Sequence, residues 1–166
     1  MSKKKIYSFG SCRVQALGRQ LDRLDNVECL NRKDSLLHST KEILNIIDQD
    51  KNIPELFKPY ITKNDLKASL IKDADIFLIE ISSMKCKTLT ANGEKFFFKD
   101  VGNKVPGSKR ESLKESVIRN DILKISSILK KPIIFVSTFN VFDKFKNPIL
   151  SQRDYLCKII KSCAYS

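Results

Sequence analysis

Short apolar runs alternate along this chain with longer segments in which apolar residues recur every three or four positions. Such runs are typical of buried strands in a parallel sheet, and the longer periodicity is typical of amphipathic helices. The pattern therefore predicts an α/β fold with a three-layer, doubly wound, mainly parallel sheet and helices on both of its faces. We place the four main strands near residues 4–9, 27–30, 75–81 and 132–137.

Helical periodicity fills the segments between these strands. The first predicted helix covers residues 12–24, and its apolar positions are Val14, Leu17, Leu21 and Leu24. Ser11 stands immediately before this helix, where an N-cap residue would stand. A second helix opens at Ser39, and Glu42 three residues later gives the spacing of a capping box. Further helices are predicted over residues 64–72, 110–130 and 151–163.

One other element interrupts the alternation after the third strand. Residues 85–90 and 94–99 have the pattern of strands and flank Asn92-Gly93. Asn-Gly between two β-like runs is a strong hairpin signal. We therefore predict a β-hairpin insertion near residues 85–99, followed by a loop over residues 102–108.

Length and composition narrow the class of protein. The chain has 166 residues, of which 42% are hydrophobic, so residues 1–166 fit a single domain with its own core. No apolar run approaches the roughly 20 residues of a membrane helix, and the apolar stretch near the N-terminus is too short for a secretory signal. We therefore expect a cytoplasmic protein with no membrane partner.

Charge and cysteine content bear on partners and cofactors. The formal net charge is +12, as in many proteins that bind nucleic acids, but most cations are lysines scattered along the chain. The charge alone therefore does not indicate a nucleic-acid-binding protein. The five cysteines form no Cys-x-x-Cys pair, and His38 is the single histidine. We expect no metal site, no disulfide framework and no cofactor.

The residues that follow the strands are the candidates for chemistry, because ligands in open α/β sheets bind at the carboxyl ends of the strands. Ser11 is the leading candidate nucleophile, since the free N–H groups of the helix behind it can stabilise an oxyanion. Glu80 ends a buried strand and needs a partner, for which Arg13 is the candidate. The candidate substrate-binding residues at this edge are Gly10, Cys12, Arg13, Glu80, Ser82 and Ser83.

Other interpretations of these residues stay open. Ser11 is also explained as a helix N-cap without a catalytic role. Cys12 is a rival nucleophile, because a helix N-terminus favours a thiolate. Its spacing to Arg19 is one residue too long for a phosphatase loop. His38 is the candidate general base for Ser11, or alternatively a structural residue at the entrance of a helix.

The segment Ile6-Tyr7-Ser8-Phe9-Gly10-Ser11-Cys12-Arg13 resembles the first motif of SGNH (GDSL-like) hydrolases, in the variant where Gly-Ser-Cys replaces Gly-Asp-Ser. Residues 37–42 and 79–83 also resemble GSC-type proteins of bacteria and large viruses. The resemblance implies an SGNH, flavodoxin-like fold. It further implies a serine hydrolase or acyltransferase that acts on ester-linked acyl groups, often on glycans, with Ser11 in the place of the nucleophile.

The chain departs from the family pattern at two points. The family's Gly-x-Asn oxyanion donor falls near Ser82 and Ser83, where no Asn occurs, and its last motif, Asp-x-x-His, has no counterpart. Three explanations follow: the chain is part of a longer protein, it is a non-catalytic relative, or His38 replaces the missing base. We expect weak or no esterase activity toward small-molecule or glycan esters. The alternative function is a non-enzymatic module that binds an anionic ligand, either a phosphorylated sugar or a nucleic acid.

Overall fold

The computed structural model describes residues 2–30, 39–48, 68–91, 93–98, 106–136, 144–146 and 151–164. Within them, seven strands and five helices follow one another along the chain. In chain order they are β1 (Lys4–Phe9), α1 (Cys12–Leu21), β2 (Val27–Cys29), α2 (Thr40–Ile47), α3 (Ala68–Asp73), β3 (Ile76–Ile79), β4 (Lys85–Ala91), β5 (Glu94–Phe98), β6 (Lys109–Ser112), α4 (Glu115–Leu129), β7 (Ile133–Phe135) and α5 (Ser151–Ala164).

Four of the strands form one parallel sheet in the order β2-β1-β3-β7. Ile6 of β1 is in register with Cys29 of β2 on one side and with Ile76 of β3 on the other. The prediction of a four-stranded parallel sheet is therefore confirmed. The chain adds β2 on one side of β1 and β3 on the other, so the strand order reverses at β1. Loops that leave β1 and β3 diverge at such a point and open a crevice between them.

Helices cover both faces of this sheet, as predicted. Successive side chains of a strand point to opposite faces. On one face the strand residues join α2, α4 and α5 in the larger core, and these residues are Tyr7, Phe9, Phe77 and Ile79. On the other face Ile6 and Leu78 pack with Val14 of α1. Because the central strands are apolar on both faces, burying them requires a layer of helices on each side.

The first helix ends earlier than predicted, and only part of its predicted apolar face packs against the sheet. It stops at Leu21, and Leu17 and Leu24 are 39% and 50% exposed. Gly18 is buried instead, and a Cβ there would lie 3.2 Å from the side chains of both Ser8 and Cys29. The missing side chain lets α1 lie close to the strands. Of the predicted apolar positions, Val14 and Leu21 pack against the sheet, whereas Leu17 is turned outward.

The predicted hairpin is present, but it belongs to a larger sheet. β4 pairs antiparallel with β5 and also with β6, giving the order β5-β4-β6. The prediction of a helix from residue 110 is therefore wrong at its start, because α4 begins at Glu115. The β6 sequence Lys-Arg-Glu-Ser has no apolar residue to mark a strand. Pairing with β4 supplies the backbone hydrogen bonds that make it one.

The start of α2 differs from the sequence prediction. Ser39 is the N-cap of α2, but its hydroxyl donates to the Glu42 carboxylate at 3.2 Å and makes no bond to the helix backbone, so the predicted capping box is only partly formed.

The longest described helix, α4, has 15 residues. Nowhere in the described part of the chain is a helix both long and apolar enough to cross a membrane.

Candidate functional site

A tight turn joins β1 to α1 and places the predicted site residues. Gly10 follows β1 with φ of +151°, a backbone conformation that residues with a Cβ rarely adopt. A Cβ at Gly10 would also lie 2.7 Å from the Glu80 Cβ. Ser11 is extended and caps the helix, its hydroxyl oxygen accepting the backbone N–H of Arg13 at 3.3 Å. Glycine at position 10 therefore permits both the turn and the close approach of Glu80.

Glu80 reaches this turn because β1 and β3 continue their pairing past the last ladder residues. Phe9 is in register with Ile79, and the next backbone N–H, that of Glu80, donates to the Phe9 carbonyl at 2.9 Å. The side chain of Glu80 is 1% exposed. A carboxylate so far from water needs several hydrogen-bond donors.

Ser11 and Arg13 provide those donors, and together with Glu80 they form what we call the Ser11 cluster. The hydroxyl of Ser11 donates to Glu80 Oε2, and the Ser11 backbone N–H donates to the same oxygen at 3.0 Å. Arg13 Nη2 donates to Glu80 Oε1 at 2.6 Å, and Arg13 Nε donates to Ser11 Oγ at 3.4 Å. The predicted pairing of Glu80 with Arg13, and its place beside Ser11, are thus confirmed.

The members of the cluster differ in their access to solvent. Ser11 is buried at 6% exposure, whereas the Arg13 side chain is 36% exposed. Cys12 lies between them as the first residue of α1, and it is exposed. A molecule that approaches this edge of the sheet therefore meets the guanidinium of Arg13 and the thiol of Cys12 before it meets the Ser11 hydroxyl.

The other predicted site residues lie farther along the chain. Ser83 accepts the Lys85 backbone N–H at 2.9 Å and donates to the Lys85 carbonyl at 3.2 Å, so its hydroxyl is bound to the start of β4. Ser82 is partly exposed. His38 lies outside the described residues, and its role as a base stays a prediction.

A second buried polar cluster was missed by the sequence analysis. Asp121 of α4 is 5% exposed and accepts Thr40 Oγ1 at 2.6 Å and Lys41 Nζ at 2.7 Å. Asp121 lies between Ile118 and Ile122 on the buried side of α4, and an acid within an apolar stripe was the available signal. These bonds tie α2 to α4, so we assign this cluster a structural role.

The same region holds a buried thiol that is a poor nucleophile. Cys86 of β4 is fully buried, and burial, helped by the nearby Glu111, raises its pKa to about 11. A thiol with such a pKa stays protonated at neutral pH. Among the described residues, no group of three or more His, Cys, Asp and Glu side chains is arranged to hold a metal ion.

Comparison with known proteins leaves the function to be argued from this geometry. No protein-family model, curated protein or solved structure matches the chain. The strongest evidence is accordingly local: a serine at a strand–helix turn whose hydroxyl is bound to a buried carboxylate.

Proposed function

We propose that the domain is an SGNH-like serine hydrolase or acyltransferase acting on ester-linked acyl groups, including those of glycans, with Ser11 as its nucleophile. The observation that carries this proposal is the hydrogen bond from the Ser11 hydroxyl to the buried Glu80 carboxylate. The strand order supports it, since β2-β1-β3-β7 corresponds to the first four strands of the flavodoxin-like order. Ser11 and Glu80 follow the two strands that border the crevice.

Glu80 is the group placed to take the proton from Ser11. As Oγ attacks the acyl carbon, the new C–O bond forms, the carbonyl π electrons move to the oxygen, and the hydroxyl proton passes to Glu80 Oε2. Collapse of this intermediate expels the alcohol, which takes its proton back from Glu80. Water or a second alcohol then removes the acyl group from Ser11 by the same steps. Arg13 holds the carboxylate in place throughout through its bond to Oε1.

The same geometry predicts a slow reaction. A carboxylate is a weaker base than an imidazole at neutral pH. The Ser11 backbone N–H is bound to Glu80, so it does not point to the site of an oxyanion. Stabilisation of the oxyanion then depends on the Cys12 backbone N–H and on the dipole of α1.

Hydrolysis of short-chain nitrophenyl esters by the purified chain tests this function. Ser11→Ala is expected to abolish the activity. Glu80→Gln keeps the shape of the side chain, but its amide cannot act as a base. This variant is expected to lower kcat by about 100-fold or more. Cys12→Ala serves as the matched control, because an exposed thiol can itself react with these esters, and it should retain the Ser11-dependent rate.

Two results would argue against this account. Activity that survives Ser11→Ala but disappears in Cys12→Ala would transfer the chemistry to the thiol. Activity lost in His38→Ala but retained in Glu80→Gln would make the imidazole the base and leave Glu80 as a positioning residue. Circular dichroism of each variant distinguishes loss of chemistry from loss of fold.

A further inference from the structure

The parallel sheet ends at β7 among the strands that the structure describes. In the order β2-β1-β3-β7, this strand pairs with β3 on one side, and no described strand pairs with it on the other. We call the outer side of Ile133, Ile134 and Phe135 the β7 edge. An edge strand presents backbone N–H and C=O groups with which another extended chain can pair. The β7 edge is therefore a place where a further strand can join the sheet.

The hydrogen bonds between β7 and β3 show which backbone groups point to this edge. The Pro132 carbonyl accepts a β3 N–H at 3.0 Å, and the Val136 N–H donates to a β3 carbonyl at 2.9 Å. In a parallel pair the evenly spaced bonds come from alternate residues of each strand, so Ile134 also bonds toward β3. Ile133 and Phe135 therefore direct their N–H and C=O groups outward, where no described residue binds them.

The side chain at the centre of the β7 edge is apolar and poorly covered. Ile134 is in register with Leu78 of β3, so both side chains point to the face of the sheet on which α1 packs. Leu78 is 2% exposed, whereas Ile134, one strand farther out, is 51% exposed. On the opposite face Ile133 and Phe135 pack partly against the larger core. An added strand would cover Ile134 and bind the outward backbone groups at the same time.

Charge indicates which kind of chain fits the β7 edge. The net charge is +12, and Lys130 is exposed just before β7, at the amino end of this edge. A second copy of the chain carries the same positive charge and is repelled, whereas a segment that contains Asp or Glu is attracted. Contact with Ile134 further requires apolar side chains at alternate positions of the added strand. The features of the edge together indicate an extended, acidic segment with alternating apolar residues.

We propose that the β7 edge binds such a segment of a partner protein, which adds a fifth strand to the parallel sheet. Backbone hydrogen bonds to Ile133 and Phe135 provide affinity. Packing on Ile134 and the attraction of acidic residues to Lys130 provide selectivity. In the sheet β3 lies between this edge and β1, which leads to Ser11. The inference therefore does not rest on the function proposed for the Ser11 cluster.

Selection from a phage-displayed library of random peptides tests the proposal on the immobilised full chain, with peptides of about 12 residues, long enough for one strand. We expect the enriched peptides to alternate β-branched or aromatic residues with polar ones and to contain Asp or Glu. Fluorescence anisotropy with a labelled, enriched peptide then measures Kd. Ile134→Asp should weaken binding about ten-fold or more. Leu123→Asp is the matched control, because Leu123 is 56% exposed on α4, and it should change Kd less than about two-fold.

Methylation of backbone nitrogens in the enriched peptide tests strand addition without altering the protein. Only alternate N–H groups of an added strand point to β7. N-methyl groups at one alternate set of residues should therefore weaken binding about 100-fold or more, and at the intervening set far less. The proposal is overturned if both methylated peptides bind equally, if Ile134→Asp and Leu123→Asp lose affinity equally, or if no acidic peptide is enriched. A dimer of the chain that Ile134→Asp dissociates, seen by sedimentation, would make a second copy the occupant and overturn it as well.

Discussion

The hydroxyl of Ser11 is hydrogen-bonded to the carboxylate of Glu80, although the two residues are 69 positions apart in the chain. The register of β1 with β3 brings them together, because Ser11 follows the end of one strand and Glu80 the end of the other. A change that shifts one strand against the other must also shift the proposed nucleophile against its base. The stability of the turn and the chemistry of the site are therefore coupled, and separate variants are needed to distinguish them.

Replacement of Gly10 by alanine should strongly destabilise the fold. The φ of +151° is unfavourable for alanine, and the new Cβ would lie 2.7 Å from the Glu80 Cβ. We expect a loss of about 3 kcal/mol in the free energy of unfolding, measured by urea denaturation. Gly93→Ala is the control, because Gly93 has φ of +80° but open space around it, and it should lose only about 1 kcal/mol. Equal losses in the two variants would show that the contact with Glu80 adds nothing to the loss of unfolding free energy in Gly10→Ala.

Removing the guanidinium of Arg13 should leave the Glu80 carboxylate with fewer donors. Because Arg13 is about one-third exposed and water can partly replace it, we expect Arg13→Ala to cost about 1–2 kcal/mol of unfolding free energy, less than a fully buried pair would. Arg19→Ala, in the last turn of the same helix, is the control and should cost less than about 0.5 kcal/mol. A negligible effect of Arg13→Ala would mean that solvent satisfies the carboxylate.

Much of this architecture is predictable from the sequence, because its central strands are almost wholly apolar. The runs at β1 and β3 indicated a parallel sheet, and the rule that ligands bind at strand carboxyl ends brought Ser11, Arg13 and Glu80 to one place. The hydrogen bonds within the cluster were not predictable. They depend on the strand register and on the absence of a side chain at Gly10, which the pattern of apolar residues does not encode.

The incorrect predictions have related causes. β6 contains only polar residues, so its strand conformation depends on its pairing with β4 and not on its own pattern. Leu17 was predicted to face the core, but the close approach of α1 at Gly18 turned it outward. In both cases tertiary contact overrides the local signal. The assignments of His38, Ser82 and Ser83 to the site stay predictions.

The reactivity of the cysteines should follow their burial. Cys12 is exposed at the start of α1, whereas Cys86 is fully buried and its pKa is raised to about 11. In a titration of the folded chain with a disulfide reagent at about pH 8, we expect Cys12→Ala to remove the fastest phase. Cys86→Ala should leave that phase intact. Loss of the fast phase in Cys86→Ala alone would contradict the placement of β4.

Acid should weaken the contact between the starts of β1 and β3. The Lys5 backbone N–H donates to the Asp75 carboxylate at 2.9 Å, and this bond lowers the pKa of Asp75. A carboxyl whose pKa is lowered on folding stabilises the protein above its unfolded pKa of about 3.9, and this contribution is lost as the pH falls through the folded value. Asp75→Asn should therefore be less stable than the unmodified chain at neutral pH, and the difference should shrink in strong acid.

Urea denaturation of the Asp75→Asn and unmodified chains, at neutral pH and in acid, measures how their stability difference depends on pH. Asp25→Asn, at an exposed turn residue, is the control and should change the stability little at either pH. A difference between the Asp75→Asn and unmodified chains that stays constant with pH would mean that the charge of Asp75 has no part in the contact.

The central claim is that Glu80 makes the Ser11 hydroxyl nucleophilic, and labelling with a fluorophosphonate tests it most directly. In this reaction the serine oxygen bonds to phosphorus, fluoride leaves, and the hydroxyl proton passes to the base. We predict that mass spectrometry of the Cys12→Ala chain finds the phosphonyl group on the peptide that contains Ser11. Glu80→Gln in the same background should lower the labelling rate by about 100-fold or more. An unlabelled Ser11, or labelling at the same rate with Gln at position 80, would contradict the account.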